Sequence, residues 1–203
     1  MKNLNQRLLK LLMFALLVSF TAVSCDDDDN DDGPGEEELI TEVTLRLTGT
    51  AGPGNGDVAT ATATDADGDG RDITYTTLTL TAGTTYSGTI TFTDTINNED
   101  ITEEIGEEEP EEHRVDYAFT ISGAASDRIA ITVTDTDSNS LPVGIEYTAA
   151  VTDGAAATGV LSVILYHFDD APKGATNVSD EIDVDLSFPV SIQAAAASVV
   201  ADL

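Results

Sequence analysis

The chain has one cysteine, Cys25, and no tryptophan. A single thiol closes no intrachain disulfide, so no disulfide framework holds this fold, and a lone cysteine in a secreted chain needs another use. Histidine is almost as scarce, with only His113 and His167. Bases are fewer than their total of eight suggests. Lys2, Arg7 and Lys10 all fall in the first ten residues, which leaves five bases against 38 acids for the rest. The formal charge of the whole chain is −30. Such a surface repels nucleic acid, whose binding depends on Lys and Arg set against phosphate. It also disfavours anionic lipid, and it attracts cations. The same charge suits a salty habitat, so charge alone does not separate solubility from cation binding. The sequence contains no Gly-x-Ser-x-Gly elbow, no His-Glu-x-x-His and no Gly-rich phosphate loop. Carboxylate pairs are so frequent that none is marked out, and an enzyme is not expected. The longest apolar run is also shorter than the roughly 20 residues that span a bilayer.

That run, Leu11 to Phe20, follows the three early bases and is closed by small residues. A basic start, a short apolar stretch and a small-residue boundary make a secretory signal over residues 1–24. Ala22-Val23-Ser24-Cys25 resembles a bacterial lipobox, and the resemblance implies that Cys25 becomes the lipidated first residue of the mature protein. The alternative is an ordinary secreted protein with a free thiol. Each buried CH2 of an acyl chain contributes about 0.8 kcal/mol, and one chain alone binds only marginally, so two or three would make a firm anchor. Residues 25–38, opening Cys-Asp-Asp-Asp-Asp-Asn-Asp-Asp-Gly-Pro-Gly, read as an acidic flexible tether. An Asp-rich run directly after the lipidated Cys resembles the export signal of Bacteroidota surface lipoproteins. That implies the outer leaflet of the outer membrane; a solvated spacer facing the periplasm is the alternative.

Residues 39–193 suit one domain. Thr is plentiful, and its β-branch favours strands. In Leu39–Thr48, Val43, Leu45 and Leu47 share one face, and Thr44, Arg46 and Thr48 the other. Val58–Thr64, Ile73–Thr81, Thr84–Thr95, Arg114–Ile121, Arg128–Thr134, Val143–Thr152, Val160–Phe168 and Ile182–Phe188 read as further strands, separated by Gly- and Asp-rich turns. Val160–Phe168 is apolar on both faces, which predicts a central strand covered twice. In the last strand, Ile182, Val184, Leu186 and Phe188 are expected to face inward and Asp183 and Asp185 outward. Asn97–Glu112 breaks the rhythm. Asp100 or Asn98 can cap a short acidic helix that lays Ile101 and Ile105 on the core, with Gly106 and Pro110 limiting its length. These signals predict an all-β, immunoglobulin-like antiparallel sandwich of about nine strands with one short acidic helix. Residues 194–203 are left as an apolar tail.

Two groups of residues invite a ligand. By strand parity His113 shares a face with Val115 and Tyr117, and His167 with Leu161, Val163 and Leu165. Both histidines thus face the core from strand ends. If their strands run antiparallel, they meet at one end of the sandwich. With Glu108, Glu109 or Glu112 they would suit zinc or copper; the alternative is two unrelated rim histidines. Asp65-x-Asp67-x-Asp69-Gly70 opens like a calcium loop, with Asp72 as a further oxygen donor. Its twelfth position is Thr76 rather than Glu, so the bidentate closing ligand of an EF-hand is missing, and a plain Asp/Gly turn is the alternative. Asp135-Thr-Asp137-Ser-Asn139 is a weaker version.

Several segments together resemble a family of small Bacteroidota outer-membrane lipoproteins. They are Glu36–Leu45, Asp65–Gly70, Thr84–Phe92, Ile101–Ile105, Glu111–His113 and the last strand from Asp183. Members are sometimes labelled a type 1 periplasmic binding fold and are often encoded beside TonB-dependent receptors. The label implies an α/β fold, whereas the alternating strands imply an all-β one. The neighbourhood implies a surface binding module that captures a metal ion or small nutrient for such a receptor. The competing expectation is a structural or adhesive surface lipoprotein with calcium-stabilised loops.

Overall fold

The computed structural model describes residues 38–169 and 171–196. The expected signal peptide, Cys25, almost all of the tether and residues 197–203 of the tail lie outside them. The described residues form an all-β sandwich of eleven strands. They are β1 (Glu42–Ala51), β2 (Val58–Thr64), β3 (Thr74–Tyr75), β4 (Leu78–Thr81), β5 (Thr85–Thr93), β6 (His113–Ile121), β7 (Ala124–Ala125), β8 (Ile129–Val133), β9 (Glu146–Val151), β10 (Ala157–His167) and β11 (Glu181–Gln193). One sheet has the order β3-β2-β1-β5-β9-β8, the other β4-β11-β10-β6-β7. All pairings are antiparallel except β4 with β11, which run parallel.

The core follows from the alternation. Val43, Leu45 and Leu47 of β1, Ala59, Ala61 and Ala63 of β2, and Ile90 and Phe92 of β5 face Val115, Leu161, Val163, Leu165, Val184, Leu186 and Phe188 of the other sheet, all buried. Ala on β2 leaves room for the larger side chains opposite. At Gly88 a Cβ would lie 2.3 Å from the Tyr147 ring, so only glycine lets that in-register tyrosine lie across β5.

Three expectations need correction. Ile73–Thr81 is not one strand: β3 belongs to the first sheet and β4 to the second, and Thr76 and Thr77 carry the chain between them. The double covering of Val160–Phe168 holds at one end only. Val160 is exposed, while Tyr166 and Phe168 are buried beside Arg114 and the loop that carries Gly174 and Asn177. The loop is tied down by Arg114, which lies opposite Tyr166 in register. Arg114 donates to both carboxylate oxygens of Asp116 and to the carbonyls of Gly174 and Asn177, with its guanidinium over the Tyr166 and Phe168 rings. Pro189 is tolerated because β4 joins β11 only from Val190 onward. Finally, β11 does not alternate to its start. Leu165 pairs with Val184 but Tyr166 pairs with Ile182, so Asp183 is an extra residue, a β-bulge.

The helical excursion has the expected parts. Asp100 caps it by accepting the Thr102 N–H, and Ile101 and Ile105 are buried. Its α-helical part, α1 (Ile101–Glu103), is short and passes directly into a π-helical turn, Glu104–Glu108. The wider turn is closed by the Glu109 N–H on the Glu104 carbonyl at 2.8 Å.

Candidate metal centre

β6 and β10 are antiparallel neighbours, and His113 pairs directly with His167. Inward-facing residues at paired positions meet, and the two imidazoles stack with centroids 4.4 Å apart. Both are buried at the rim of the sandwich. The expected meeting of the histidines is therefore present.

Three acidic residues close on the pair, each placed by a different element. Glu38 stands just ahead of β1, and its Oε1 lies 2.9 Å from His113 Nε2. Glu109 ends the π-helical turn. Its carbonyl accepts from Glu112 N–H and lies 3.2 Å from His113 Nδ1. Asp183 is the bulge residue. Its Oδ1 is 3.7 Å from His167 Nδ1 and its Oδ2 3.9 Å from His113 Nε2. Glu38 Oε2 completes the ring of contacts at 3.9 Å from His167 Nδ1. The Glu38 and Asp183 side chains are only 5% and 2% exposed. Ligand atoms of Glu38, Glu109, His113 and His167 all lie within 4.8 Å of one another, so this acid–histidine group could hold a metal ion.

Of the expected carboxylates, Glu109 joins the group and Glu108 and Glu112 do not. Glu108 is exposed on the turn. Glu112 directly precedes His113 at a strand entrance, where successive side chains point to opposite faces. Glu38 and Asp183 take their places. In sequence Glu38 reads as tether, because it ends a run of three glutamates. In sequence Asp183 reads as outward, because the apolar residues around it keep strict alternation.

The protons are constrained. The Glu109 carbonyl can only accept, so His113 Nδ1 carries a hydrogen, and Nε2 is the nitrogen turned toward Glu38. Without metal, the 2.9 Å between Nε2 and Glu38 Oε1 is bridged by a proton when His113 is charged. Burial on its own would lower the His113 pKa, but the hydrogen bond and charge of Glu38, the Glu109 carbonyl and the charge of Asp183 outweigh it, and the pKa is raised. Burial would likewise raise Glu38, but the His113 hydrogen bond and positive charge hold it below its ordinary value. At pH values between the lowered Glu38 value and the raised His113 value the two thus form an ion pair bridged by a proton. Two ligands of a tetrahedral zinc with bonds of about 2.0–2.1 Å stand roughly 3.3 Å apart. Nε2 and Oε1 would need to separate by a few tenths of an ångström as a metal replaced the proton. Glu38 Oε2 is buried with no hydrogen-bond partner. An orphaned carboxylate oxygen is costly unless a cation reaches it.

A second clamp fixes this rim. Lys173 Nζ donates to the carbonyls of Pro110 and His113 itself, and pairs with Asp137 Oδ2 at 2.9 Å. Both side chains are almost wholly buried. Burial would raise the Asp137 pKa, but Lys173 and the N–H groups of Leu141 and Asn139 bring it below its ordinary value. Asp137 is thereby committed to structure. Asp135 is too, since its carboxylate accepts the N–H groups of Gly144, Ile145 and Glu146. The second Asp-rich turn therefore holds the fold rather than an ion.

The first Asp-rich turn differs. Asp65, Asp67 and Asp69 have ligand atoms within 4.8 Å of one another, while Asp72 is not among them. Asp72 sits past the turn with a left-handed φ of 50°. The Asp65 oxygens accept the N–H groups of Gly68 and Gly70, so the turn closes without an ion.

No known protein family matches the chain, and neither a curated protein nor a solved structure shows significant similarity to it.

Proposed function

We propose that this protein is a metal-binding module, held to the outer membrane by lipid on Cys25 and facing outward, which captures zinc or copper for a TonB-dependent receptor. The observation that carries the binding reading is the meeting of two in-register imidazoles with a buried Glu38 carboxylate, one of whose oxygens has no hydrogen-bond partner. Two nitrogens with carboxylate oxygens favour zinc or copper over calcium or magnesium, which take oxygen alone. At equal supply copper would bind the tighter of the two. The His113 Nδ1–H held by a backbone carbonyl is the outer-shell arrangement that orients a ligating histidine. No nucleophile or general base is called on, so the role is capture rather than catalysis. Anchor and leaflet rest on the leader, Cys25 and the acidic tether, and the receptor on the family resemblance alone. They are checked by palmitate labelling of the wild type against Cys25→Ala, and by protease accessibility on whole cells.

The binding reading is tested by titrating tag-free protein with zinc and with copper, beside a His113→Ala/His167→Ala variant. One equivalent bound by the wild type and lost in the variant is expected. Equal uptake by both would overturn it. The grouping of Asp65, Asp67 and Asp69 favours a second reading, a structural surface lipoprotein stiffened by calcium. It requires calcium to raise the unfolding midpoint and zinc to leave it unchanged.

A further inference from the structure

A cleft of about 380 Å3 lies between the start of β1, the 65–70 turn and the start of β11. Six acidic residues line it, Glu38, Glu42, Asp65, Asp69, Asp183 and Asp185, and no Lys, Arg or His does, the nearest base being exposed Arg71, 3.9 Å from Asp69 Oδ2. The cleft therefore joins the two acidic groups that the sequence keeps apart. Glu38 and Asp183 at its inner end touch both imidazoles. Asp65 and Asp69 belong to the first Asp-rich turn. Neither histidine lines the cleft, so Glu38 and Asp183 stand between it and the rings. On the other side of His113, its carbonyl is sealed by buried Lys173. A cluster of acids is ordinary in so acidic a chain. What sets this one apart is the buried Glu38 oxygen without a hydrogen-bond partner, on a residue that lines the cleft.

We infer that this cleft is the route by which a divalent cation reaches the histidine pair, with Glu42, Asp69 and Asp185 drawing the ion in and Glu38 and Asp183 passing it to the imidazoles. The inference rests on the metal-binding reading above. A concave surface of one sign focuses field lines and raises association rates by about 10- to 1000-fold. Charges on distant faces are screened beyond roughly 8 Å at physiological ionic strength, so they add little. The bulge serves the route twice. It turns Asp183 toward the rings and puts Ile182, 46% exposed, on the cleft wall.

The test is stopped-flow zinc binding to the tag-free mature chain, with a fluorescent zinc chelator as reporter, across a range of salt. In Glu42→Gln/Asp69→Asn/Asp185→Asn, the association rate is expected to fall about tenfold. Its salt dependence should flatten, and the dissociation rate should change less than about twofold. A control with the same charge change on another face, Glu103→Gln/Glu107→Gln/Glu146→Gln, should stay within about twofold of wild type. Ile182→Trp, a substitution at an exposed position that needs no core repacking, narrows the passage. It should slow association and dissociation by the same factor and leave the affinity unchanged, the signature of an obstructed path rather than an altered site. Equal slowing in the two triple variants, no slowing in either, or unaltered rates in Ile182→Trp would overturn the inference. A wild type that takes up no zinc would instead overturn the metal-binding reading and this inference with it. Normal zinc uptake with insensitive rates would overturn the route alone.

Discussion

Replacing Lys173 with Met should unfasten the rim that holds the metal centre. The lysine head group meets Asp137 Oδ2 at 2.9 Å and the His113 carbonyl at 3.0 Å, and also takes the Pro110 carbonyl. The Lys173 and Asp137 side chains are 1% and 0% exposed, so solvent screening does not soften the loss. Removing one partner of a buried ion pair costs about 3–5 kcal/mol, mostly from the charge left behind. Here Asp137 Oδ1 keeps the Asn139 and Leu141 N–H groups at 2.9 and 2.8 Å, which places the cost near the lower end, about 3 kcal/mol. That is a large part of the roughly 5–15 kcal/mol that holds a domain together. In Lys173→Met/Asp137→Asn the buried charge is gone while the amide oxygen still accepts both N–H groups. The cost should then fall to about 1–2 kcal/mol, the loss of ordinary hydrogen bonds. The assay is urea unfolding of the two single variants and the double, compared at constant slope. The cycle should give a coupling energy of at least about 1.5 kcal/mol. A single-variant cost below about 1 kcal/mol, or strictly additive losses, would refute the argument that the pair acts as a buried unit. Because Lys173 also holds the His113 carbonyl, zinc affinity should weaken in Lys173→Met although no ligand has changed.

Other outcomes follow from the same geometry. Glu38→Gln can donate its amide hydrogen to neutral His113 Nε2, so it should cost only about 1 kcal/mol of stability in urea. It removes an anionic ligand, however, and zinc affinity measured by chelator competition should fall beyond the 10–100-fold typical of losing an outer-shell partner. In metal-free protein, the raised His113 pKa contributes stability that is complete below the ordinary histidine value of 6.5 and is lost as pH rises through the raised value. The lowered Glu38 pKa contributes stability that is complete above 4.5 and is lost as pH falls through the lowered value. Urea midpoints against pH should therefore show this pair's contribution greatest between about 4.5 and 6.5, and Glu38→Ala should flatten the profile. Zinc at 100 times its Kd should stabilise the wild type by about 2.7 kcal/mol, reversibly with chelator, and leave His113→Ala/His167→Ala unmoved.

The legible parts of this fold are those where parity survives. β1, β5 and β6 keep apolar residues at every second position, and the structure buries most of them. The histidines follow the same rule, since parity and strand direction together put His113 and His167 on one face at one end. Where the fold changes course, the alternation sometimes shows it. In Ile73–Thr81 the apolar residues Ile73 and Tyr75 are odd while Leu78 and Leu80 are even. That break in parity is the crossing from one sheet to the other. Asp183 left no such mark. From Ile182 to Ile192 the large apolar residues stay on even positions, yet the bulge turns Ile182 out and Asp183 in. A bulge is a property of the pairing between two strands, here Leu165–Tyr166 against Ile182–Val184, and neither strand alone encodes it. Glu38 is the same case at longer range. Its neighbours Glu36 and Glu37 look like more tether, and only the arrival of β6 against β10, some 75 residues further on, gives its carboxylate a partner. The metal centre thus divides by cause: the imidazoles come from local periodicity, and the carboxylates that complete them come from contacts that exist only once both sheets have formed. Deleting Asp183 should therefore leave a folded sandwich in which Ile182 still pairs with Tyr166 and faces outward, with zinc affinity sharply reduced. A deletion variant that binds zinc like the wild type would show that the bulge has no part in the site.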